Sequence, residues 1–264
     1  MADRDERRPI NTPMLRVEGL TVRYGALTAL SDMSWQVAAG EILGIIGPNG
    51  AGKSSCFAAV TNSVPHEGEV FVSGDRVTRV PTHGLSRLGL RRTFQQNAFF
   101  GEMTVLENMT AALLREYATG LLATILTPWR EIATRRRSER EAAELLEDFG
   151  VPAVYHDKLP GDVPYGVQRM LSVALAYGSG ADAILLDEPA AGIGGNDMRR
   201  LADILVMLRD RGTAVVVIEH HMDLIMSVAD RIVVIDQGRM LATGTPAEIQ
   251  RNEAVREAYL GRAE

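Results

Sequence analysis

Gly47-Pro48-Asn49-Gly50-Ala51-Gly52-Lys53-Ser54 satisfies the phosphate-binding loop pattern G-x-x-x-x-G-K-[ST] at every fixed position, and Ser55 continues the same stretch. Its flanks make the match informative. Ile42-Leu43-Gly44-Ile45-Ile46 before it reads as a buried strand, and Ser54 to Thr61 after it contains no helix breaker. In a strand-loop-helix setting the glycines let backbone N–H groups converge on phosphate oxygens, and the new helix adds the positive end of its dipole. Lys53 supplies a compact charge for the outer phosphates. The chain has only two lysines, Lys53 and Lys158, among 28 basic residues, so a lysine at this place points to a job that a planar guanidinium does not do. The Ser54 hydroxyl is suited to Mg2+.

Outward from the loop, Leu15 to Tyr24 and Met33 to Val37 alternate as strands, with Ala38-Ala39-Gly40 as the turn into the loop strand. Gly68 to Ser73 and Leu90 to Thr93 add further strands. From Met103 to Phe149 the pattern becomes helical, with Ala142, Leu145, Leu146 and Phe149 on one apolar face. The run Arg135 to Glu141 reads as a solvated helix face. After Tyr165 the chain reads as helix to Tyr177, strand Ala183 to Leu186, helix Asp197 to Arg211 and strand Thr213 to Ile218. This alternation implies a parallel sheet covered on both faces. Arg231 to Asp236 and Arg239 to Ala242 read as a hairpin through Gln237-Gly238, followed by helix signals at Pro246 and Ala254.

Two more apolar strands end in chemistry. Ala183-Ile184-Leu185-Leu186 runs into Asp187-Glu188, at the end of a strand where an open α/β sheet presents its ligand site. Asp187 is suited to a metal ion, and Glu188 to polarising a water that attacks a γ-phosphate. Val215-Val216-Val217-Ile218 runs into Glu219-His220-His221. His220 can donate to developing negative charge on a phosphate. Adjacent histidines suggest metal, but strand neighbours point to opposite faces and so do not readily share one ion, and His221 is expected at the surface. Gln95, after Arg92-Thr93-Phe94, carries an amide that can meet both a metal-bound water and a phosphate. Tyr24 can stack on a base.

Composition sets limits. The 264 residues suffice for one large α/β domain, and the net charge of −6 argues against general nucleic-acid binding. Cys56, the single cysteine, excludes an internal disulfide and reads as a packed helix residue. Residues 1–13 lack the apolar core of a signal peptide and read as a flexible tail. The stretch from Leu121 to Trp129 is far shorter than the roughly 20 residues that span a bilayer. A soluble cytoplasmic protein, which can still work at a membrane, is expected.

In this order the motifs resemble the ATP-binding subunits of ABC transporters, from about Leu15 to Gly261. Tyr24 matches the adenine-stacking aromatic, Gly47 to Ser54 the Walker A loop, and Gln95 the Q-loop glutamine. Asp187 and Glu188 match the Walker B aspartate and catalytic glutamate, and His220 the switch histidine. Arg92-Thr93-Phe94-Gln95, Asp187-Glu188-Pro189-Ala190-Ala191-Gly192 and Ala258-Tyr259-Leu260-Gly261 look like the branched-chain amino-acid uptake group, and the long helical insert like its larger ATPase subunit. The resemblance implies an α/β fold: a P-loop ABC-type ATPase core with a mainly parallel sheet, an N-terminal antiparallel β region and a helical lobe. One domain over 14–264 would carry the lobe at about 96–179. ATP and Mg2+ are implied, the metal held by Ser54, Gln95 and Asp187. So are a second ATPase subunit, a permease with its solute-binding protein, and a place on the cytoplasmic face of the membrane; Pro164 in the signature segment is what points to a non-identical second subunit. Surface changes near Phe99, Phe100 and Val105, where the lobe begins, would uncouple transport from hydrolysis. The alternatives are a soluble ABC-class ATPase acting on ribosomes or DNA, and a P-loop kinase or simple nucleotide-binding module.

Two segments depart from the pattern. The signature, usually Leu-Ser-Gly-Gly-Gln, reads Val163-Pro164-Tyr165-Gly166-Val167 before Gln168, so a serine becomes Pro164 and a glutamine Val167. Gly194 stands where an Asp or Asn is usual. Both segments normally face the opposing subunit.

Overall fold

The computed structural model describes residues 13–93, 99–114 and 128–260. They group into two compact units. One takes the chain up to Arg92, Asp182–Pro189 and Leu205 onward; the other takes Thr93–Ala181 and Ala190–Ile204.

The first unit holds two sheets. Strands β1 (Leu15–Tyr24), β2 (Leu27–Val37), β4 (Glu67–Val72) and β5 (Asp75–Arg76) form an antiparallel sheet in the order β2-β1-β4-β5. The second sheet runs β10-β9-β3-β8-β7-β6, from β3 (Ile42–Ile46), β6 (Leu90–Arg92), β7 (Ala183–Asp187), β8 (Ala214–Ile218), β9 (Arg231–Asp236) and β10 (Arg239–Gly244). All its pairings are parallel except β10 on β9. Strands β3, β7 and β8 are buried at every position, as apolar runs covered on both faces must be. Leu43, Ile45, Leu185, Val216 and Ile218 face a core shared with β1, β2 and Phe57 of helix α1 (Lys53–Val60). On the other face Gly44 lets Ile225 approach, since a Cβ there would lie 2.9 Å from its methyl carbon. Ile225 belongs to a helix at Met222–Val228 that was not expected from sequence.

Strand β2 starts six residues before the expected Met33. The reason is a bulge. Asp32 takes φ 54°, and the pairing slips between Leu20 opposite Met33 and Val22 opposite Leu30. Burial therefore falls on Leu30, then Met33, Trp35 and Val37, and period-two alternation is legible only after the slip.

Helices dominate the second unit. A short helix α2 (Thr82–Leu85) precedes it in the chain, and the unit itself contains α3 (Val105–Leu114), α4 (Pro128–Asp148), α5 (Tyr165–Gly178) and the start of α6 (Gly195–Asp210). Ala142, Leu146 and Phe149 are fully buried, with Phe149 against Tyr177 at 5.4 Å between ring centres. Val105 is also fully buried, so it is a core residue rather than the surface position expected. Phe100 differs, being 66% exposed. Buried Asn108 fixes it from below: its Oδ1 accepts from the Phe100 amide at 2.9 Å, and its Nδ2 donates to the carbonyls of Phe100, Met103 and Thr104. An aromatic ring is thus held outward on a rigid turn.

The remaining chain returns to the first unit. Helix α7 is the Met222–Val228 segment, and α8 (Pro246–Arg251) starts with a complete capping box between Thr245 and Glu248. Helix α9 (Glu253–Leu260) follows. Among the described residues no helix is long and apolar enough to cross a membrane.

Candidate functional site

Because β6, β7, β8 and β3 are adjacent and parallel, their C-terminal ends fall on one edge of the sheet. That edge receives Arg92, Asp187-Glu188, Glu219-His220 and the loop beginning at Gly47. A parallel sheet presents its ligand crevice there.

The loop needs its glycines. Gly47, Gly50 and Gly52 have φ of 158°, 79° and 105°, a backbone that L side chains avoid. A Cβ on Gly47 would sit 2.1 Å from the Ile235 carbonyl oxygen, and one on Gly52 would sit 2.5 Å from that of Ala29. Behind the loop, the Gly238 amide at the β9–β10 turn donates to the Ala51 carbonyl at 3.0 Å, and its own carbonyl accepts from Ser31. The loop is therefore pinned on its inner side while Asn49 and Gly50 stay exposed. Helix α1 starts at Gly52 without a side-chain cap, so its first amides have no competing side-chain acceptor. Pro48 closes the turn by accepting from the Ala51 amide at 3.1 Å.

Lys53 is 7% exposed, and its Nζ donates to the carbonyls of Gly47 at 2.7 Å and Pro48 at 3.1 Å. Burial pushes its pKa below the usual lysine value, and the nearby Glu188 and Asp187 carboxylates partly restore it. Ser54 is exposed and Ser55 half-buried. Tyr259 of α9 reaches the same loop: burial raises its pKa to about 12, offset in part by a hydrogen bond from the Gly47 backbone. Sequence reasoning quoted Tyr259 without giving it this place.

Asp187 is almost fully buried, and its Oδ2 accepts from Arg92 Nη2 at 2.7 Å. Its Oδ1 is buried without a hydrogen-bond partner among the described residues. An orphaned carboxylate oxygen together with the Ser54 hydroxyl makes an all-oxygen donor set, which suits Mg2+. Glu188 turns away by taking φ 48°, its amide held by the Ile218 carbonyl at 2.9 Å. Two adjacent carboxylates thereby meet different partners, Asp187 meeting Arg92 and Glu188 lying near His220. Arg92 also stands 5.7 Å from the Phe57 ring centre, which links β6 to α1.

The histidine pair departs from expectation. Strand β8 ends at Ile218, so strand alternation no longer governs His220 and His221, and their rings lie 4.2 Å apart on the same side. Glu219, fully buried, turns its Oε2 back to accept from the His220 and His221 amides and from Nδ1 of His221 at 3.0 Å. His220 Nδ1 lies 4.0 Å from Glu188 Oε1. His221 is a partner of this cluster rather than an isolated surface residue. Tyr24 ends β1 with 47% of its surface exposed. Gln95 lies outside the described residues.

The signature segment belongs to the second unit. Pro164 occupies the N-cap of α5 and accepts from the Gln168 amide at 3.0 Å. Gln168 turns its side-chain amide onto the Val163 carbonyl at 3.0 Å. Val163 and Val167 are buried, whereas Pro164 and Tyr165 are exposed. Arg169 bonds the Tyr165 hydroxyl, and the Tyr165 ring lies against Gly192, where a Cβ would come within 2.9 Å. Gly166 admits Asp197: a Cβ would meet that carboxylate at 2.1 Å. Asp197 thus stands beside the helix start, a contact invisible in the sequence because 31 positions separate the two residues (197 − 166 = 31).

Comparison with known proteins identifies the family. A profile described as ABC transporter matches residues 30–191, and one described as branched-chain amino acid ATP-binding cassette transporter matches 239–264. The high-affinity branched-chain amino acid transport ATP-binding protein BraF of Pseudomonas aeruginosa is 38% identical, over 96% of this chain and 100% of its own. LivG of Escherichia coli, of the same description, is 36% identical over 96% and 100%. The lipopolysaccharide export system ATP-binding protein LptB of Escherichia coli is 30% identical over 94% and 97%. Among solved structures, a nucleotide-free ATP-binding cassette from an ABC transporter superposes with TM-score 0.79 at 26% identity, over 94% of this chain and 99% of that one.

Proposed function

The chain belongs to the ABC transporter ATP-binding family, and on that premise we propose that it energises an importer of branched-chain or other hydrophobic amino acids, paired with a non-identical ATPase subunit at the cytoplasmic face of a membrane. ATP binding and hydrolysis are the activity of the family. The observation that carries the reading is the arrival of Lys53, Asp187, Glu188 and His220 at one edge of adjacent parallel strands.

In this reading Tyr24 stacks on the adenine, and the backbone from Gly47 to Ser55 cradles the phosphates. Lys53 exchanges its loop carbonyls for phosphate oxygens. Ser54, Asp187 and Gln95 hold Mg2+, which when bound neutralises charge on the phosphate chain. Glu188 orients water and accepts its proton as the oxygen attacks the γ-phosphorus, and His220 donates to the γ-phosphate. Two kinds of relative bear on the cargo. The branched-chain relatives are nearer in sequence than LptB, and the match over 239–264 is to the branched-chain group. The exposed Phe100 ring, on a turn whose backbone Asn108 holds, is the permease contact.

Pro164 supports non-identity of the pair. It has neither hydroxyl nor N–H, so it offers fewer donors to a partner's nucleotide than the usual serine. This chain's own loop and Glu188 face the partner's signature and turn over ATP; the partner's loop faces Val163 to Gln168 and turns over slowly. Glu188→Gln tests both claims. Alone it should keep Mg-ATP binding and lose about 100-fold or more of turnover. Paired with wild-type partner it should leave little residual hydrolysis, and substantial residual turnover would overturn the asymmetric pair. Recovery with ribosomes or DNA instead of membrane permease subunits would favour the soluble alternative.

A further inference from the structure

The acidic residue and two histidines after β8 form a cluster that the nucleotide reading uses only through His220. Among the described residues, one donor atom from each of Glu219, His220 and His221 lies within 4.8 Å of the other two. Glu219 Oε2 is 3.0 Å from His221 Nδ1 and 3.9 Å from His220 Nδ1. Metal–ligand bonds of about 2.0–2.1 Å place ligand atoms about 3–4 Å apart, so small rotations of two half-exposed rings suffice to close a first shell. A fourth donor, Glu188 Oε1, stands 4.0 Å from His220 Nδ1.

We propose that Glu219, His220 and His221 form a second metal site, for a transition dication of the Zn2+ class, distinct from the oxygen-lined place for Mg2+ at Ser54 and Asp187. Ligand chemistry separates the two. Imidazole nitrogens with one carboxylate select Zn2+, Co2+ or Ni2+, whereas Mg2+ requires oxygen and dehydrates reluctantly. The base of the site is prepared in advance: Glu219 is fully buried, and the His220 and His221 amides at 3.1 and 3.2 Å fix its Oε2. Only the two rings need to move, and they are 51% and 34% exposed. His221 is the residue that makes the cluster, since without it one histidine and one carboxylate remain. On the reading of His220 as the phosphate contact, a bound dication would hold that imidazole away from the nucleotide and set positive charge beside Glu188. Micromolar Zn2+ would then inhibit hydrolysis.

The test separates binding from activity. Zn2+ is titrated into the nucleotide-free full chain by calorimetry, and Co2+ is followed by its visible absorption, in wild type, Asp187→Asn, His221→Ala and Glu219→Gln. One equivalent should bind to wild type and to Asp187→Asn alike, with affinity at least tenfold weaker in His221→Ala. Glu219→Gln, which keeps the side-chain shape, should show the same loss and serves if His221→Ala does not fold. In hydrolysis assays normalised to each protein's own metal-free rate, half-inhibition by Zn2+ should need at least tenfold more metal in whichever variant folds. Equal Zn2+ affinity in that variant overturns the site, as does loss of binding in Asp187→Asn alone. Because calorimetry needs no turnover, an inactive Glu188 role would leave this outcome readable.

Discussion

The phosphate loop and the signature segment both depend on glycine, but for opposite reasons. At Gly47 the close neighbour is backbone, the Ile235 carbonyl, and the loop is fastened from behind by the Gly238 amide. At Gly166 the close neighbour is the end of a side chain, Asp197, which can swing away. The same 2.1 Å approach is therefore rigid in one place and adjustable in the other. A motif held by backbone tolerates no change in sequence, whereas one held by side chains can drift while keeping its helix. The contrast fits a loop that matches its pattern throughout and a segment, resembling the signature, that carries Pro164 where a serine is usual.

The largest effect expected from this contrast is in paired substitutions. Gly47→Ala should abolish nucleotide binding and destabilise the chain by about 3 kcal/mol or more, since neither φ nor the neighbouring carbonyl can yield. Gly166→Ala should cost about 1 kcal/mol and leave binding to this chain's own loop unchanged. Thermal melts and fluorescent-nucleotide titration check both, and equal losses would break the comparison. Next in size, Lys53→Ala should weaken ATP binding about 10–100-fold, the worth of a charged hydrogen bond. Pro164→Ser tests the adjustable side. Restoring the hydroxyl and the backbone N–H should raise turnover at the partner's nucleotide by about 3–10-fold, read in a pair whose other site carries Glu188→Gln. No gain would mean that the signature backbone already suffices.

The smallest effect uses Cys56, three residues beyond Lys53. Burial raises its thiol pKa from 9.0 to about 12. The folded state therefore keeps a proton that the unfolded state releases above pH 9. Its contribution is complete below pH 9 and declines as pH rises toward 12, by about 1.4 kcal/mol per unit. Urea midpoints at pH 8.5 and 10 should separate for wild type more than for Cys56→Ala. Alkylation of the thiol should likewise proceed only at the rate at which the loop region opens.

How much was legible follows the same division. Apolar runs buried on both faces announced β3, β7 and β8, and turn residues announced the β9–β10 hairpin, because each depends on its own sequence. The bulge at Asp32 hid half of β2, since a slip in pairing erases the alternation that reveals a strand. The histidine pair was misjudged because strand geometry was extended past Ile218, where Glu219 folds back and gathers both rings. Val105 was placed at the surface because nothing in its neighbourhood shows which side of α3 meets α4 and α5. The Arg92–Asp187 pair joins positions that only the order of the sheet brings together.

The hairpin turn behind the phosphate loop bears on how the chain is made. Gly47 to Ser54 leaves the ribosome long before the Ile235 carbonyl that it fits and the Gly238 amide that fastens Ala51 are synthesised. Until that hairpin adds to β3 through β9, the motif has its residues without its shape. Contacts so distant in sequence form late in folding. A nascent chain halted before Gly238 should therefore ignore ATP, and nucleotide capture becomes a signal that the central sheet has closed around its first-made strand.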